Sequence, residues 1–408
     1  MKYMIFDDSK SDQFLPMTYL RSTGDLRAGI LKLRQRLEFI MEMEESAVIV
    51  APELISLYRE RHPDWQINQV ENDEYLFINS RARLTLENKK LLDEMPDGSI
   101  LKNADNILAI RLNCKAQPID YHSLIKMSQD LCVIETDQMT CWEYLWELMH
   151  HNGDLIRFDF ENVFYDEDNF FETEPGVTML NPYDIWIGEG VELKTGVVID
   201  ASEGPVVIDE NAVIMHNSVI IGPVYIGKKS VIKVAAKIYP NTTVGPVCKI
   251  GGEVEDTIIQ GYSNKQHDGF LGHSYLGEWV NIGADTNNSD LKNTYKSVAV
   301  HNYATGEKTN TGSTFVGCFI GDHSKVGINC SINTGSMIGF GANLYGSPLI
   351  QGFIPDFSWG QANDLQKYRL EAFLETAGTV KQRRKKDLTI IEKGLLEEIY
   401  KRGINESR

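Results

Sequence analysis

Aliphatic residues recur at every sixth position along the middle of the chain. A first series of eight positions holds only isoleucine or valine: Ile208, Ile214, Ile220, Ile226, Ile232, Ile238, Val244 and Ile250. A second series holds Ile320, Val326, Ile332, Ile338, Leu344 and Ile350. An α-helix gives a period of about 3.6 and a single strand a period of about 2, so neither explains six. The period predicts a parallel β-helix, in which one inward aliphatic per short strand stacks on those of adjacent coils, rather than a β-sandwich.

The period of six fails between Ile250 and Ile320. Ile282 and Ile320 are 38 positions apart, which is not a multiple of six. Residues 286–312 are rich in Asn, Thr and Gly and predict a loop inserted into one coil. The polar stretch 261–295 lies at this break, and loops that leave a rigid scaffold commonly carry ligand contacts. From composition alone, the stretch is either a binding site or a solvated loop.

Before the β-helix, the pattern alternates between strand and helix. "YMIFDD" and "SAVIVAP" are typical of buried strands, and Ile30, Leu33, Leu37 and Ile40 predict one apolar helix face. We therefore predict a truncated α/β domain of nucleotide-binding type at 1–155. An acidic, aromatic linker is predicted at 156–184, the β-helix at 185–355, and a helical tail at 356–408.

Charge and cysteine content narrow the classes of function. The formal charge of −18 argues against binding to nucleic acid or to an anionic membrane surface. No stretch of 18 apolar residues occurs, and the first residues read as a strand rather than a secretory signal, so we expect a cytoplasmic protein. The six cysteines show no zinc-ligand spacing, which predicts buried, reduced thiols and no metal.

The segment "GYSNKQHDGFLGHSYLG", followed by "NIGADTNN", resembles the acetyltransferase half of the bifunctional enzymes that make UDP-N-acetylglucosamine, in the variant common in Bacteroidetes-like bacteria. The resemblance implies a left-handed β-helix that forms a homotrimer. It also implies acetyl-CoA as co-substrate and an amino sugar phosphate such as glucosamine-1-phosphate as acceptor.

The resemblance further implies residue roles. His273 would be the general base, since a histidine titrates near neutral pH and can take the proton of the attacking amine, and Tyr275 and Asn287 would complete the catalytic set. The sugar phosphate would be held by Lys249, Lys265, Asn281, Asn288, Lys292 and Tyr295. Gly317 and Gly335 would allow close approach of CoA. The better-studied members place the histidine three residues before the tyrosine, whereas here it is two before, so His267 is a second candidate base.

The amino-terminal domain resembles the other half of the same family, the nucleotidyltransferase that joins a sugar phosphate to UTP. The matching positions are Pro16, Arg21 and Arg27, and Asp7 and Asp8 could hold Mg²⁺ or cap a turn. No Gly-x-Gly follows the first strand, which removes a backbone nest for phosphate.

Three functions stay open from the sequence. The leading one is a sugar-phosphate acetyltransferase, with or without nucleotidyl transfer in the same chain. The second is a nucleotidyltransferase whose β-helix only assembles the oligomer. The third is a non-catalytic β-helix scaffold that binds a sugar nucleotide. For the basic run at 381–386, we expect either a clamp on CoA phosphates or on an acidic face of a neighbouring subunit, or a solvated cluster of charges.

Overall fold

A computed structural model describes residues 1–165, 169 and 175–405 of the chain. It contains two compact units, the first formed by Met1–Leu26 and Leu31–Tyr144, and the second by Arg27–Ile30 and the chain from Leu145 onward. The boundary thus lies earlier than the predicted 155. The physical reason is that the helix Leu145–His150 packs on the β-helix, where the Trp146 ring meets Phe319 edge to face.

The first unit contains a seven-stranded mixed sheet. Its strands, in spatial order, are Gln66–Ile67, Ala47–Ile49, Lys2–Phe6, Asp73–Asn79, Asn106–Cys114, Ser99–Asn103 and Cys132–Glu135. The central antiparallel strand Asn106–Cys114 separates two parallel sets. A two-stranded ladder joins Gln69–Val70 to Gln117–Pro118. The α-helices are Leu33–Ile40, Ile55–Arg61, Lys89–Asp93 and Tyr121–Met127, with 3-10 turns at Ser9–Phe14, Thr23–Asp25 and Pro52–Leu54.

The helix predicted to include Ile30 begins later, at Leu33. Gly29 has a φ of 76°, a left-handed conformation that interrupts a helix before Ile30. Ile30 instead packs in a small apolar cluster of the second unit with Ile156 and Phe160. The apolar face of the helix is therefore shorter than the sequence pattern indicated.

The second unit is a parallel β-helix with three faces. Face 1 stacks Thr178–Leu180, Val198–Asp200, Val219–Ile221, Lys237–Ile238, Glu253–Glu255 and Phe270–Gly272, followed by Asn287–Asn288 and Ser331–Ile332. Face 2 stacks Ile185–Ile187, Val206–Ile208, Val224–Ile226, Thr242–Val244, Ile258–Gly261, Tyr275–Glu278, Cys318–Ile320, Ser336–Ile338 and Phe353–Ile354. Face 3 stacks Glu192–Leu193, Val213–Ile214, Val231–Ile232, Lys249–Ile250, Asn264–Lys265, Asn281–Ile282, Lys325–Val326, Asn343–Leu344 and Ser358–Gln361, and Asp364–Lys367 closes it as an antiparallel strand.

The predicted aliphatic positions form the core of this β-helix. Every member of both series of six is buried in one continuous apolar cluster. Each coil contributes one strand to each face, so three steps of six return the chain to the same face one coil later, as in the ladder from Ile208 to Ile226 to Val244. The predicted fold class is confirmed, and the coils are consistent with the left-handed class.

The β-helix is longer than predicted at both ends. Its first strand, Thr178–Leu180, lies inside the predicted linker, and its last coil reaches Ser358–Gln361, inside the predicted tail. The helix Asn152–Asp159 and a π-helical turn at Phe160–Phe164 precede the β-helix. A 3-10 turn at Pro182–Asp184 lies between its first two strands. After it, the tail forms two helices, Leu370–Gln382 and Ile390–Asn405, as predicted.

The inserted loop leaves the β-helix after the strand Asn287–Asn288 and returns at Cys318–Ile320. Within it, Ala299–His301 and Lys308–Asn310 pair as an antiparallel hairpin. The hairpin packs on a later coil, where the His301 ring stacks on Phe353 with centroids 3.8 Å apart. The insertion is therefore an ordered extension of the scaffold.

All six cysteines are unpaired, and five of them are buried. Cys132 is exposed, contrary to prediction, because it begins the outermost strand of the first unit's sheet. Within the described residues, no helix combines the length and apolar character needed to cross a bilayer.

Candidate functional site

His273 lies at the corner where the chain passes from face 1 to face 2. Its φ of 46° is left-handed, a conformation that turns the chain sharply at such corners. The imidazole is 16% exposed, and its Nδ1 atom lies 2.8 Å from Oδ2 of Asp290. Its Nε2 atom lies 3.7 Å from Oδ2 of Asp256, which is beyond hydrogen-bond distance. One ring nitrogen is thus fixed by the carboxylate of Asp290, while the other lies beside the carboxylate of Asp256 without a hydrogen bond to it.

The two aspartates flank His273 on neighbouring coils. Asp256, His273 and Asp290 are each 17 positions apart along the chain, and face 1 pairs residues with the same offset, as in Glu255 with Gly272. Neither Asp256, Asp290 nor Glu255 was predicted as a site residue. Asp256 and Asp290 each lie one coil length, 17 residues, from His273, and this spacing of polar residues is the sequence signal that could have identified them.

The insertion supplies part of the His273 environment. Asp290 lies where the insertion begins, and the ring of Phe315, near its end, stacks on the imidazole with centroids 5.1 Å apart. The insertion closes through backbone hydrogen bonds from Val316 N to Asp290 O, 2.8 Å, and from Gly317 N to His273 O, 2.7 Å. We call His273, Asp290, Asp256, Glu255 and Phe315 the His273 cluster.

The carboxylates set the protonation of His273. Burial alone would lower its pKa, but the hydrogen bond with Asp290 and the negative charges of Asp256 and Asp290 raise the pKa above the ordinary histidine value. Burial in turn raises the pKa of Glu255. The cluster therefore concentrates negative charge around one imidazole at the surface of the β-helix.

Donor atoms of Glu255, His273 and Asp290 lie within 4.8 Å of one another, close enough to be considered as metal ligands. However, the 2.8 Å separation between His273 Nδ1 and Asp290 Oδ2 is that of a direct hydrogen bond, and an Nδ1 that carries the shared proton has no lone pair to offer an ion. We therefore treat the cluster as a hydrogen-bonded one.

Two of the residues predicted to act with His273 serve the scaffold. The side chain of Tyr275 is fully buried, and its hydroxyl donates to Arg27 O at 2.8 Å and Gln260 Oε1 at 3.0 Å. Asn287 is exposed, but its amide oxygen accepts from Phe270 N at 2.7 Å, which ties it to the adjacent coil. The structure thus does not present the Tyr275 hydroxyl to the surface, and the catalytic role of Asn287 stays a prediction.

Lys265 occupies an inward position of face 3. It pairs in register with Ile250 on the preceding coil, is 1% exposed, and donates from Nζ to His267 O at 2.7 Å. Burial lowers its pKa to about 8. The predicted contact with a sugar phosphate does not fit this position, because the side chain is buried and its ammonium already donates to the backbone oxygen of His267.

Asn288 also points inward. It is buried, and its amide makes two hydrogen bonds to the backbone of Gly272, accepting at 2.8 Å and donating at 2.9 Å. Together with Lys265, it replaces an aliphatic of the inner column, which explains why the period of six fails here. The role expected for Asn288 in binding substrate is therefore replaced by a structural one.

The remaining predicted contacts are spread over other surfaces. Lys292 and Tyr295 lie on the insertion, where Lys292 donates to Ser297 O at 2.8 Å and Tyr295 is exposed. Lys249 and Asn281 point outward from face 3, away from the corner that carries His273, and line a cavity of about 360 Å³ together with Lys325, Arg383 and Arg384. The exposed His267 side chain lies on the loop between faces 3 and 1.

Gly317 and Gly335 lie where neighbouring atoms of the protein leave no room for a Cβ atom. A Cβ atom on Gly317 would overlap the carbonyl oxygen of Gly272, and one on Gly335 would lie 2.6 Å from the Val298 side chain. These glycines therefore allow neighbouring coils and the insertion to pack closely against one another. Their contact with CoA stays a prediction.

The three residues predicted to bind a nucleotide are divided between the two units, with Pro16 and Arg21 in the first and Arg27 in the second. Arg21 is buried and donates to Met17 O at 2.6 Å, while Pro16 follows a cis peptide bond. Arg27 belongs to the second unit, where its backbone N–H donates to Gln260 Oε1 at 2.9 Å. Their contact with a nucleotide stays a prediction.

Both aspartates after the first strand, Asp7 and Asp8, accept hydrogen bonds from neighbouring side chains. Asp8 accepts two hydrogen bonds from the fully buried Arg81, at 2.9 and 2.6 Å. Asp7 accepts from the hydroxyls of Ser22 and Ser80, at 2.8 and 2.7 Å, and burial raises its pKa to about 6. Since Mg²⁺ prefers ionised carboxylates with open oxygen positions, this pair does not fit the ion well.

Comparison with known proteins identifies the amino-terminal part first. Residues 3–166 match the family described as sugar nucleotidyl transferase. A bifunctional protein GlmU from Synechococcus elongatus is 33% identical over 162 residues, which cover 35% of this chain and 35% of that protein. A bifunctional sugar-1-phosphate nucleotidylyltransferase/acetyltransferase from Sulfurisphaera tokodaii is 36% identical over 145 residues, covering 35% and 36%.

Among solved structures, a UDP-N-acetylglucosamine acyltransferase from Campylobacter jejuni aligns over 56% of this chain and 90% of its own, with 15% identity and a TM-score of 0.30. The chain spans about a third of the length of the curated relatives it matches. Residues 3–166 thus match a sugar nucleotidyl transferase family, and about a third of the chain is similar to bifunctional proteins named GlmU.

Proposed function

We propose that the protein transfers an acetyl group from acetyl-CoA to the amine of an amino sugar phosphate, with glucosamine-1-phosphate as the expected acceptor. The observation that carries this proposal is the hydrogen bond between His273 Nδ1 and Asp290 at 2.8 Å. The names of the relatives, which include an acetyltransferase, support the same reaction class.

The hydrogen bond to Asp290 selects the tautomer of His273. When Nδ1 carries the proton and donates it to the carboxylate, the lone pair of the neutral imidazole lies on Nε2. A carboxylate that holds an imidazole in this way also stabilises the cation formed when the ring takes up a proton. His273 is thereby prepared to act as a general base through Nε2.

The reaction needs one proton transfer at this atom. The amine nitrogen attacks the thioester carbon, a C–N bond forms, and the amine loses a proton to His273 Nε2. The C–S bond then breaks, and the proton returns to the sulfur of the departing CoA thiolate. Atoms and charges balance without a further reactant.

The carboxylates around His273 suit an amine substrate. A sugar amine is largely protonated near neutral pH, and its ammonium group would be attracted by Asp256, beside the Nε2 atom at 3.7 Å. Glu255, one residue earlier and half-buried, adds acceptor oxygens to the same corner. The cluster can thus attract the acceptor as a cation. The ammonium loses one proton to solvent before the neutral amine attacks, and His273 takes the second proton during the reaction.

The direct test is thiol release from acetyl-CoA with glucosamine-1-phosphate as acceptor. N-acetylglucosamine-1-phosphate, which lacks the free amine, is the matched control and should give only background hydrolysis. Release that is equal with both compounds, or absent with the first, would contradict the proposal.

Nucleotidyl transfer from UTP to a sugar-1-phosphate is the second candidate function, and the family match over residues 3–166 supports it. No step is assigned to Mg²⁺, because Asp7 and Asp8 are held by Ser22, Ser80 and Arg81. Release of pyrophosphate from UTP in the presence of Mg²⁺ and N-acetylglucosamine-1-phosphate tests this activity separately from acetyl transfer.

We further propose that the protein acts in the cytoplasm as a homotrimer, with no nucleic acid or membrane as partner. The long parallel β-helix and the resemblance of its polar segment support the trimer. Light scattering coupled to size-exclusion chromatography should give a mass three times that of the 46.2 kDa chain. A monomer over the range of assay concentrations would exclude this assembly.

A further inference from the structure

The carboxylate of Asp256, in the His273 cluster, is held from the preceding coil of the β-helix. Asn241 Nδ2 donates to Asp256 Oδ1 at 2.8 Å, and the backbone N–H of Asp256 donates to Pro240 O at 3.1 Å. The other carboxylate oxygen, Oδ2, lies 3.7 Å from His273 Nε2. One oxygen is therefore bound to the scaffold, and the second lies beside the atom that takes the proton in the proposed reaction.

Asn241 is itself fixed by the helix Asn152–Asp159. Its φ of 58° is a left-handed conformation that asparagine adopts more readily than most residues. The buried side chain of Asn152 donates to Asn241 O at 2.8 Å. Gly153 leaves the space that the Asn241 side chain fills, because a Cβ atom at position 153 would overlap Asn241 Oδ1. The helix thus determines where the Asn241 amide lies.

The negative charge of Asp256 is not neutralised by a basic side chain. In the described part of the chain, Asp256 forms no ion pair with a lysine or an arginine. Its charged neighbours are His273 and Glu255, and Glu255 carries the same sign of charge. An ammonium group gains a charge-assisted hydrogen bond from such a carboxylate, whereas an uncharged hydroxyl group gains a weaker one.

We propose that Asn241 is a positioning residue that makes the His273 cluster select an amine over a hydroxyl group in the acceptor. By binding Oδ1, it keeps Asp256 Oδ2 beside His273 Nε2. Without this hydrogen bond the carboxylate is free to turn toward solvent, since the Asp256 side chain is 30% exposed, and the preference for an amine decreases. The selectivity rests on the proposed function only in placing the acceptor at Nε2, and binding alone measures it.

Isothermal titration of the full chain with glucosamine-1-phosphate and with glucose-1-phosphate measures this selectivity without a reaction. The two compounds differ by an amine and a hydroxyl group on one carbon, so the ratio of their dissociation constants reports the amine alone. Near neutral pH we expect wild type to bind the amine compound at least about fivefold more tightly.

Asn241→Gly should lower this ratio at least about threefold, because it removes the amide that holds Asp256. Glycine suits the φ of 58° and keeps the backbone oxygen that accepts from Asn152. Asn217→Gly is the matched control and should keep the wild-type ratio. Asn217 has a φ of 59°, but it lies at the other end of face 1, just before the strand Val219–Ile221.

Two further variants separate positioning from a merely structural effect. Asp256→Asn should reduce the difference between the two ligands to within about twofold, and adding Asn241→Gly should then change the ratio no further. Gly153→Ala should also lower the ratio, because its methyl group would displace the Asn241 side chain although alanine suits a helix. These two variants decide the question if Asn241→Gly does not fold, which thermal unfolding shows.

Equal affinities of wild type for the two sugar phosphates, or no binding of either, would overturn the proposal. A wild-type ratio in a folded Asn241→Gly protein would overturn it as well, and so would an equal loss of affinity for both ligands. Selective binding by a chain that releases no thiol from acetyl-CoA would contradict acetyl transfer and leave the amine selectivity supported.

Discussion

The Nδ1 atom of His273 lies 2.8 Å from Oδ2 of Asp290, a residue 17 positions later in the chain and one coil away in the β-helix. This contact exists because the inserted segment begins at the coil corner directly beside His273. The insertion thereby converts an exposed corner histidine into a partly buried one with a fixed tautomer and a raised pKa.

His273→Ala should lower the rate of acetyl transfer by about 10² to 10⁴, because the amine would lose its general base. Thiol release from acetyl-CoA under saturating acceptor measures the effect. His267→Ala tests the second candidate base in the same assay, and we expect the wild-type rate because the His267 side chain is exposed and only its backbone oxygen makes a described contact. Equal rates for wild type and His273→Ala would remove His273 from the mechanism.

The pH dependence of acetyl transfer should report the pKa of His273. The base form is the neutral imidazole, so activity is absent well below the pKa and rises as pH increases through it. Because Asp290 and Asp256 raise this pKa, the rise should lie above the range of an ordinary histidine.

Asp290→Asn removes one of these charges, so the midpoint of the pH profile should move to lower pH while kcat falls. The substrate amine titrates identically in both proteins, and comparing the two profiles cancels its contribution. An unchanged midpoint in Asp290→Asn would show that another group limits the reaction.

Lys265→Met should stabilise the protein at neutral pH. The pKa of Lys265 is lowered to about 8 in the fold, so the folded state carries a penalty for the charged form below that pH. The penalty disappears as pH rises from about 8 toward the unfolded value near 10.5, because the folded lysine loses its proton first. We expect a gain on the order of 2 kcal/mol at about pH 7, after loss of the hydrogen bond to His267 O is subtracted.

Urea unfolding of Lys265→Met and wild type at neutral and alkaline pH measures this difference, which should shrink toward alkaline pH. Lys237→Met is the control, since Lys237 is an exposed lysine paired with Glu253 on face 1. A Lys265→Met protein that is less stable than wild type at neutral pH would show that the buried ammonium is favourable.

Asp8→Asn should destabilise the first unit strongly. Arg81 is fully buried and donates two hydrogen bonds to Asp8, so neutralising the carboxylate leaves a buried cation poorly compensated. We expect a loss of roughly 3 to 5 kcal/mol in the free energy of unfolding. Glu71→Gln, which breaks the exposed pair with Lys2, should leave the free energy of unfolding close to the wild-type value. Similar effects of both substitutions on urea unfolding would contradict this difference.

Acetyl transfer should persist after treatment with a metal chelator. Asp290 is bound directly to His273 Nδ1, so the proposed proton transfer requires no ion at Glu255, His273 and Asp290. Thiol release before and after dialysis against EDTA is the measurement. A loss of activity that Zn²⁺ or Mn²⁺ restores would instead assign a metal to these three residues.

The architecture of the second unit could be predicted closely, because an inward aliphatic at every sixth position is itself the repeating contact of a β-helix. Ile208, Ile226 and Val244 stack as their spacing requires. The break in the period also located the insertion. Its cause was not predictable, since Lys265 and Asn288 are polar residues at inward positions, and their burial depends on hydrogen bonds to His267 O and Gly272.

The candidate site could be predicted only in part. A polar corner histidine is visible in the sequence, but the partners that give it chemistry, Asp256 and Asp290, come from coils on either side. Tyr275, although adjacent to His273 in the chain, turns into a buried contact with Arg27 and Gln260. Alternation along a strand places neighbouring side chains on opposite sides, so nearness in sequence does not imply a shared site.

The sequence by itself determined the β-helix, its coil length and the position of the insertion, because these follow from local periodicity and from where that periodicity stops. Only the tertiary structure decided which charged groups meet: Asp290 with His273 at one corner, and Lys249, Lys325 and Arg384 around one cavity on face 3. The physical reason is that pKa shifts and ligand sites depend on through-space distances and burial between coils, which a repeat of six residues leaves unspecified.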